Sequence, residues 1–116
     1  MKRIYVSGPM SGLPESNFPA FHAEAARLRA LGYEVVNPAE INVGQEPCAV
    51  SNKAAWDDFY NRCMRADIRE MMDCDAIALM PGWERSKGAH LELHIAHRVG
   101  MRVVRCDELD APRSAA

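Results

Sequence analysis

Two spacings of apolar residues alternate along this chain. Short runs rich in β-branched and apolar residues are each followed by a longer stretch in which apolar positions recur every three to four residues. "RIYVS" (Arg3–Ser7) reads as a strand that runs into the turn-rich "GPMSGLPES". Asn17 is placed to cap a helix starting near Phe18, with Pro19 tolerated in its first turn. Phe21, Ala25, Leu28 and Leu31 give that helix an apolar stripe, and Gly32 suits its end. "YEVVN" (33–37) is the second strand, stopped by Pro38. Residues 38–54 have no clean period and read as a long loop of the kind that is usually functional. A long helix follows over about 55–73, then the apolar strand "DAIALM" (75–80) and the loop "PGWERSKG". A further helix leads into "MRVVRC", the fourth strand.

The last helix carries an anomaly. In "SKGAHLELHIAHRVGMRVV", a rotation of about 100° per residue puts Gly88, Ala89, Glu92, Ile95, Ala96 and Val99 on one face. Lys87, His90, His94, His97 and Arg98 fall on the other. The apolar face should pack inward, yet Glu92 sits in its middle. The long helix repeats the pattern. Trp56, Tyr60, Cys63, Met64, Asp67, Met71 and Cys74 share one side, and Asp58, Arg62, Arg65, Arg69 and Asp73 share the opposite one. Asp67 is therefore a second acid within an apolar stripe.

Strand–helix alternation through the whole chain predicts an α/β fold with a parallel sheet. The expected form is a single-domain, flavodoxin-like (Rossmann-like) three-layer sandwich of four or five strands in the order 2-1-3-4. The domain is expected over residues 1–106, with 107–116 a flexible tail. Such sheets bind ligands beyond the carboxyl ends of the strands, where the strand order reverses. The loops after Ser7, Asn37 and Met80 lie at that edge. Helix side chains lean back toward the N-terminus, so the Glu92 carboxylate should point toward it too.

An unpaired buried carboxylate costs several kcal/mol, so the fold must supply partners or keep it neutral. A single such acid is most often partly exposed or held by an amide or an arginine. Two on successive helices, facing one sheet edge, suit glycosyl chemistry: one attacks an anomeric carbon and the other handles a proton.

Composition narrows the alternatives. The chain has 116 residues, 48% hydrophobic and 26% charged, which suits one globular domain. A net charge of −2 gives no electrostatic reason for polymeric nucleic acid or an anionic membrane as partner. No apolar run approaches the roughly 20 residues of a membrane span, and "MKRIYVSGPMSG" reads as a strand and turn, not a secretory signal. Cys48, Cys63, Cys74 and Cys106 form no CxxC pair, and are expected to be reduced thiols in a cytoplasmic protein.

Other motifs carry less. His90, His94 and His97 have a spacing that can hold a metal, but they share the expected solvent face with Lys87 and Arg98, and no metal is expected. "HLELH" is not HExxH, because its glutamate falls on the other side of the helix. "SGPMSG" matches neither dinucleotide nor P-loop fingerprints, though as a turn at the ligand edge it can offer backbone N–H groups to an anion. Trp56, Trp83 and Met10 read as core candidates, and of these Trp83, in the loop before the Glu92 helix, is the better candidate for stacking on a planar base.

In their order and spacing, "IYVSGPMSG", "RADIREMMDCDAIALM" and "SKGAHLELHIAHRVGMRVV" resemble the nucleoside 2-deoxyribosyltransferase superfamily, which includes the 2′-deoxynucleoside 5′-monophosphate N-hydrolases. The likeness runs from Ile4 to Val104. It implies that Glu92 is the nucleophile that forms a glycosyl ester with deoxyribose C1′, that Tyr5 orients it, and that Asp67 meets and helps protonate the leaving base. Ser86 matches the position that contacts the 5′ end of the sugar, and Gly8 and Gly88 match glycines that let backbone approach the substrate. Serine at position 86 is similar to the monophosphate hydrolases, and Lys87 beside it favours a phosphate. Pro9 and Ser11 depart from the serine and arginine that those hydrolases carry, and "GP" after the first strand looks more like the transferases.

The expectation is an enzyme that breaks the N-glycosidic bond of a 2′-deoxyribonucleoside or its 5′-monophosphate, passing the sugar to water or to another base. The expected site is Glu92, Asp67 and Tyr5, with Gly8, Pro9, Met10, Ser11, Trp83, Ser86, Lys87 and Gly88 around the substrate. No cofactor is expected, since the carboxylates do the chemistry. A homodimer or larger homo-oligomer is expected from the resemblance. The alternative is a non-catalytic nucleotide-binding or sensing module with the same pocket.

Overall fold

The computed structural model describes residues 2–41 and 52–110. Its strands are β1 (Arg3–Ser7), β2 (Glu34–Val36), β3 (Ala76–Leu79) and β4 (Arg102–Arg105). They pair in parallel in the order β2-β1-β3-β4, with Tyr5 beside Ile77 and Ser7 beside Leu79. The helices are α1 (Phe18–Ala30), α2 (Pro38–Ile41), α3 (Lys53–Met71) and α4 (Lys87–Arg98). The expected α/β sandwich and strand order are therefore observed, with four strands among the described residues.

Alternation along β1 divides the core in two. Ile4 and Val6 point to one face of the sheet, where they pack with Ala78, Met80 and the α1 residues Phe21 and Leu28. Tyr5 points to the other, where it packs with Ile77, Leu79, Met71 near the end of α3, and Ala96 of α4. β1 and β3 are buried on both faces, which is why both read as continuous apolar runs.

Several local expectations are corrected. Asn17 precedes α1 but does not cap it with its side chain. It sits in the left-handed region (φ 60°) and its amide donates to the Pro9 carbonyl at 2.9 Å instead. The expected loop over 38–54 holds a short helix, α2, at its start. Asn37 begins it by accepting from the Ala39 N–H at 2.9 Å, and Pro38 occupies the first turn, where it has no N–H to lose. At its far end α3 starts at Lys53, two residues earlier than expected, because the Asn52 side chain accepts from the Ala55 N–H at 2.8 Å. The rest of that loop, residues 42–51, lies outside the described residues. Val99 does not share the buried face of α4. It follows the last turn and is 57% exposed.

After β4, Cys106 and Leu109 are buried, and the Arg27 guanidinium donates to both of their carbonyls. Of the expected tail, Leu109 is thus anchored to α1, and 111–116 lie outside the described residues. No described helix is long and apolar enough to cross a membrane.

Candidate active site

At the carboxyl edge of the sheet, the loop after β1, the inner face of α3 and the start of α4 enclose a cavity of about 1000 Å³. It lies where the chain turns from β1 toward β2 on one side and β3 on the other, the reversal point of the strand order. A cavity of this size is at the upper end of the range for small-molecule sites, about 300–1,000 Å³.

Glu92 reaches this cavity from α4. Ser86 caps that helix by accepting from the Ala89 N–H at 3.1 Å, and this fixes the rotation that turns Ala89, Glu92 and Ala96 inward. Glu92 is only 5% exposed. Both of its oxygens are held from β1: the Tyr5 phenol donates to Oε2 at 2.6 Å, and the Ser7 hydroxyl donates to Oε1 at 2.7 Å. Tyr5 and Ser7 are two residues apart on one strand, so the same alternation that buries Ile4 and Val6 aims both hydroxyls at α4.

Three effects set the charge of Glu92. Burial disfavours the carboxylate most strongly, the two hydroxyl donors favour it, and the nearby Asp67 disfavours it further. Burial wins, and the carboxyl is pushed up to about 7. The group therefore titrates near neutrality and is an acceptor-only nucleophile in its ionised form. Burial, followed by the charges of Glu92 and Asp67, drives the Tyr5 phenol well above its ordinary value, so it remains a proton-bearing donor.

Asp67 is the second buried acid, 5% exposed on the inner face of α3, and it lines the same cavity. The structure thus brings Glu92, Asp67 and Tyr5 together. Gly8, Pro9, Met10, Ser11, Ser86, Lys87 and Gly88 also line the cavity, and Arg85 joins Lys87 beside Ser86. Trp83 is not among the lining residues. Its ring packs on the cluster around Tyr5 and Met71 and lies 5.2 Å from the His90 ring of α4. The aromatic wall comes from α3 and α1: Trp56, Phe59, Tyr60 and Phe18.

The two glycines have packing partners of their own. A Cβ on Gly8 would stand 2.8 Å from Met80 Cβ, and one on Gly88 would stand 3.3 Å from Met64 Sδ and 3.4 Å from the Tyr60 hydroxyl. Gly8 lets the loop cross β3 closely, and Gly88 lets α4 approach α3.

Ser7 escapes the sequence reading because the motif it opens, SGPMSG, is weighed for its backbone N–H groups and not for its serine side chain. Its spacing from Tyr5 was the available clue. Trp56, a core candidate by its stripe, lines the cavity.

Competing chemistries find less support. Burial pushes the thiols of Cys74 and Cys106 up to about 11 and 12, and that of Cys63 upward too, so none is activated as a thiolate. His90, His94 and His97 are exposed, and His90 Nε2 donates to the Glu84 carbonyl at 2.7 Å. Among the described residues, no group of three or more His, Cys, Asp or Glu side chains is arranged to hold a metal ion.

No match to the chain is found among curated proteins. A family model does match, over residues 2–105, which takes in every strand and helix described above. The chain belongs to the family described as Domain of unknown function (DUF4406).

Proposed function

We propose that this protein cleaves the N-glycosidic bond of a 2′-deoxyribonucleoside or its 5′-monophosphate. The observation that carries this reading is Glu92: a buried carboxyl, held at both oxygens by Tyr5 and Ser7, on a cavity that a second buried acid, Asp67, also lines. The likeness of the chain's three motifs to the nucleoside 2-deoxyribosyltransferase superfamily supports it.

In this reading a Glu92 oxygen bonds to C1′ as the C1′–N bond breaks, and the bonding pair leaves with the base, which takes up a proton through Asp67. An acceptor then attacks C1′, and the C1′–O pair returns to Glu92 as the carboxylate. Water as acceptor makes the enzyme a hydrolase and yields the free sugar. A second base makes it a transferase. Trp56, Phe59 and Tyr60 offer flat apolar surface to the base. Arg85 and Lys87 flank Ser86 on the cavity and favour a 5′-phosphate over a free hydroxyl. The chemistry calls for no cofactor.

The reading includes a cytoplasmic homodimer or larger assembly. Leu91 and Val99, exposed apolar side chains at α4, are surface that such an assembly would cover.

A second reading is a nucleotide-binding module that performs no chemistry. Pro9 and Ser11 favour it, since they line the cavity where the monophosphate hydrolases carry serine and arginine. Incubation with a panel of deoxynucleosides and their 5′-monophosphates, with and without a free second base, separates the cases. Base released from monophosphates alone indicates a hydrolase, and exchange that needs an added base indicates a transferase. Bound but unaltered nucleotide indicates the binding module.

A further inference from the structure

Glu92 is held by two donors, and the one on Oε1 comes from a residue to which nothing else assigns a role. Ser7 is 1% exposed, and its hydroxyl lies 2.7 Å from that oxygen. The backbone that carries it is fixed on the β3 side: Ser7 pairs in register with Leu79, and its carbonyl accepts from the Met80 N–H at 2.8 Å. The side chain is short, so the carboxylate must sit close over the end of β1, and the longer Tyr5 side chain reaches forward along the same strand to the other oxygen. A carboxylate has about four lone-pair sites, so one donor on each oxygen leaves both oxygens able to meet a carbon in the cavity.

We propose that Ser7 is a positioning residue for Glu92, favouring its charged form and fixing its rotation so that its free lone pairs face the cavity. As a role in turnover the inference rests on the N-glycosidase reading. As a statement about the charge of Glu92 it does not. Tyr5 alone could fix one oxygen but would leave the carboxylate free to swing about that contact. Two donors on different oxygens remove this freedom and favour the charged form against burial. The titratable groups facing Glu92 from neighbouring elements are Tyr5 on β1 and Asp67 and Tyr60 on α3, while Lys53, Asp57 and Cys63 of α3 and Arg85 and Lys87 around the α4 N-terminus line the same cavity. Asp67 opposes ionisation of Glu92, which makes the Ser7 donor the more consequential.

Ser7→Ala and Ser7→Cys test this without a large change in volume. Alanine removes the donor, and cysteine keeps a weak one. In protein labelled with 13C at the glutamate carboxyls, the Glu92 resonance is assigned by its loss in Glu92→Gln and then followed against pH. Its midpoint should rise by about one unit in Ser7→Ala and by less in Ser7→Cys. This readout needs no substrate, so it stands or falls apart from the proposed reaction. With a turned-over deoxynucleotide, the acid limb of kcat/KM should move upward in the same order, and the loss of rate should shrink as pH rises. An unmoved Glu92 midpoint in Ser7→Ala, or a rate loss equal at every pH, would overturn the proposal.

Discussion

The Tyr5 phenol lies 2.6 Å from Oε2 of Glu92, a buried hydrogen bond between residues 87 positions apart in the chain. It ties the central strand to the last helix at the point where the cavity opens. A hydrogen bond to a charged group contributes on the order of 1.5–3 kcal/mol, equivalent to roughly 10- to 100-fold in rate. Tyr5→Phe should therefore lose about that much kcat/KM near neutral pH while keeping the ring's packing. Its acid limb should shift to higher pH, because one donor that favours the carboxylate is gone. Comparing the pH profiles of Tyr5→Phe and wild type checks this.

Glu92 also leaves a mark on stability. Its folded value of about 7 lies above the ordinary 4.5, so between those pH values the folded chain binds more protons than the unfolded one. Stability from this group is fully present below about 4.5 and is lost as pH rises through about 7. Glu92→Gln has no such proton to lose. Relative to wild type, it should gain up to about 3 kcal/mol across that window, read by urea denaturation at a series of pH values. Parallel stability curves would show that Glu92 ionises normally in the fold.

The loop over the cavity is held by Asn17. Glu15, Ser16 and Asn17 all have positive φ, and the Asn17 amide bonds the Pro9 carbonyl. Asparagine tolerates that backbone better than most residues. Asn17→Ala should lose both the amide and this tolerance, costing about 1–2 kcal/mol. Asn17→Gly should cost less, since it gives up only the bond. Denaturant midpoints of the two variants decide the order.

Two glycines of the site should respond in opposite ways. Gly8→Ala drives a methyl against Met80 Cβ, which cannot swing away, and should destabilise by about 1–3 kcal/mol. Gly88→Ala meets the flexible Met64 sulfur and the Tyr60 hydroxyl, and gains up to about 1 kcal/mol of helix propensity. It should fold at least as well as wild type while shifting the Met64 sulfur, which lines the cavity, and weakening nucleotide binding. Thermal melts and a binding titration separate the two effects.

The strands and the inward acids were legible because they rest on periodicity, and the sheet order because alternating strands and helices favour a flavodoxin-like arrangement. β1 and β3 read as buried runs, and Glu92 and Asp67 broke helical stripes that are otherwise apolar. What escaped depended on finer chemistry. The Asn-Pro start of α2 is a helix signature, but it was hidden in a stretch judged by its Gly and Pro content. Asn17 was read as a cap from its type, yet its amide found the Pro9 carbonyl, a contact no local rule supplies. Whether Trp56 or Trp83 faces the cavity is set by tertiary packing, which no local pattern supplies. Ser7 could have been found by pairing it with Tyr5 across one strand alternation.

The most direct test of the central claim is base release by wild type and Glu92→Ala from the panel of deoxynucleosides and 5′-monophosphates, read by chromatography. Wild type should release free base from at least one member, and Glu92→Ala, folded by circular dichroism, should release none above the uncatalysed rate. Release by Glu92→Ala at the wild-type rate, or silence from wild type across the panel, would contradict the account.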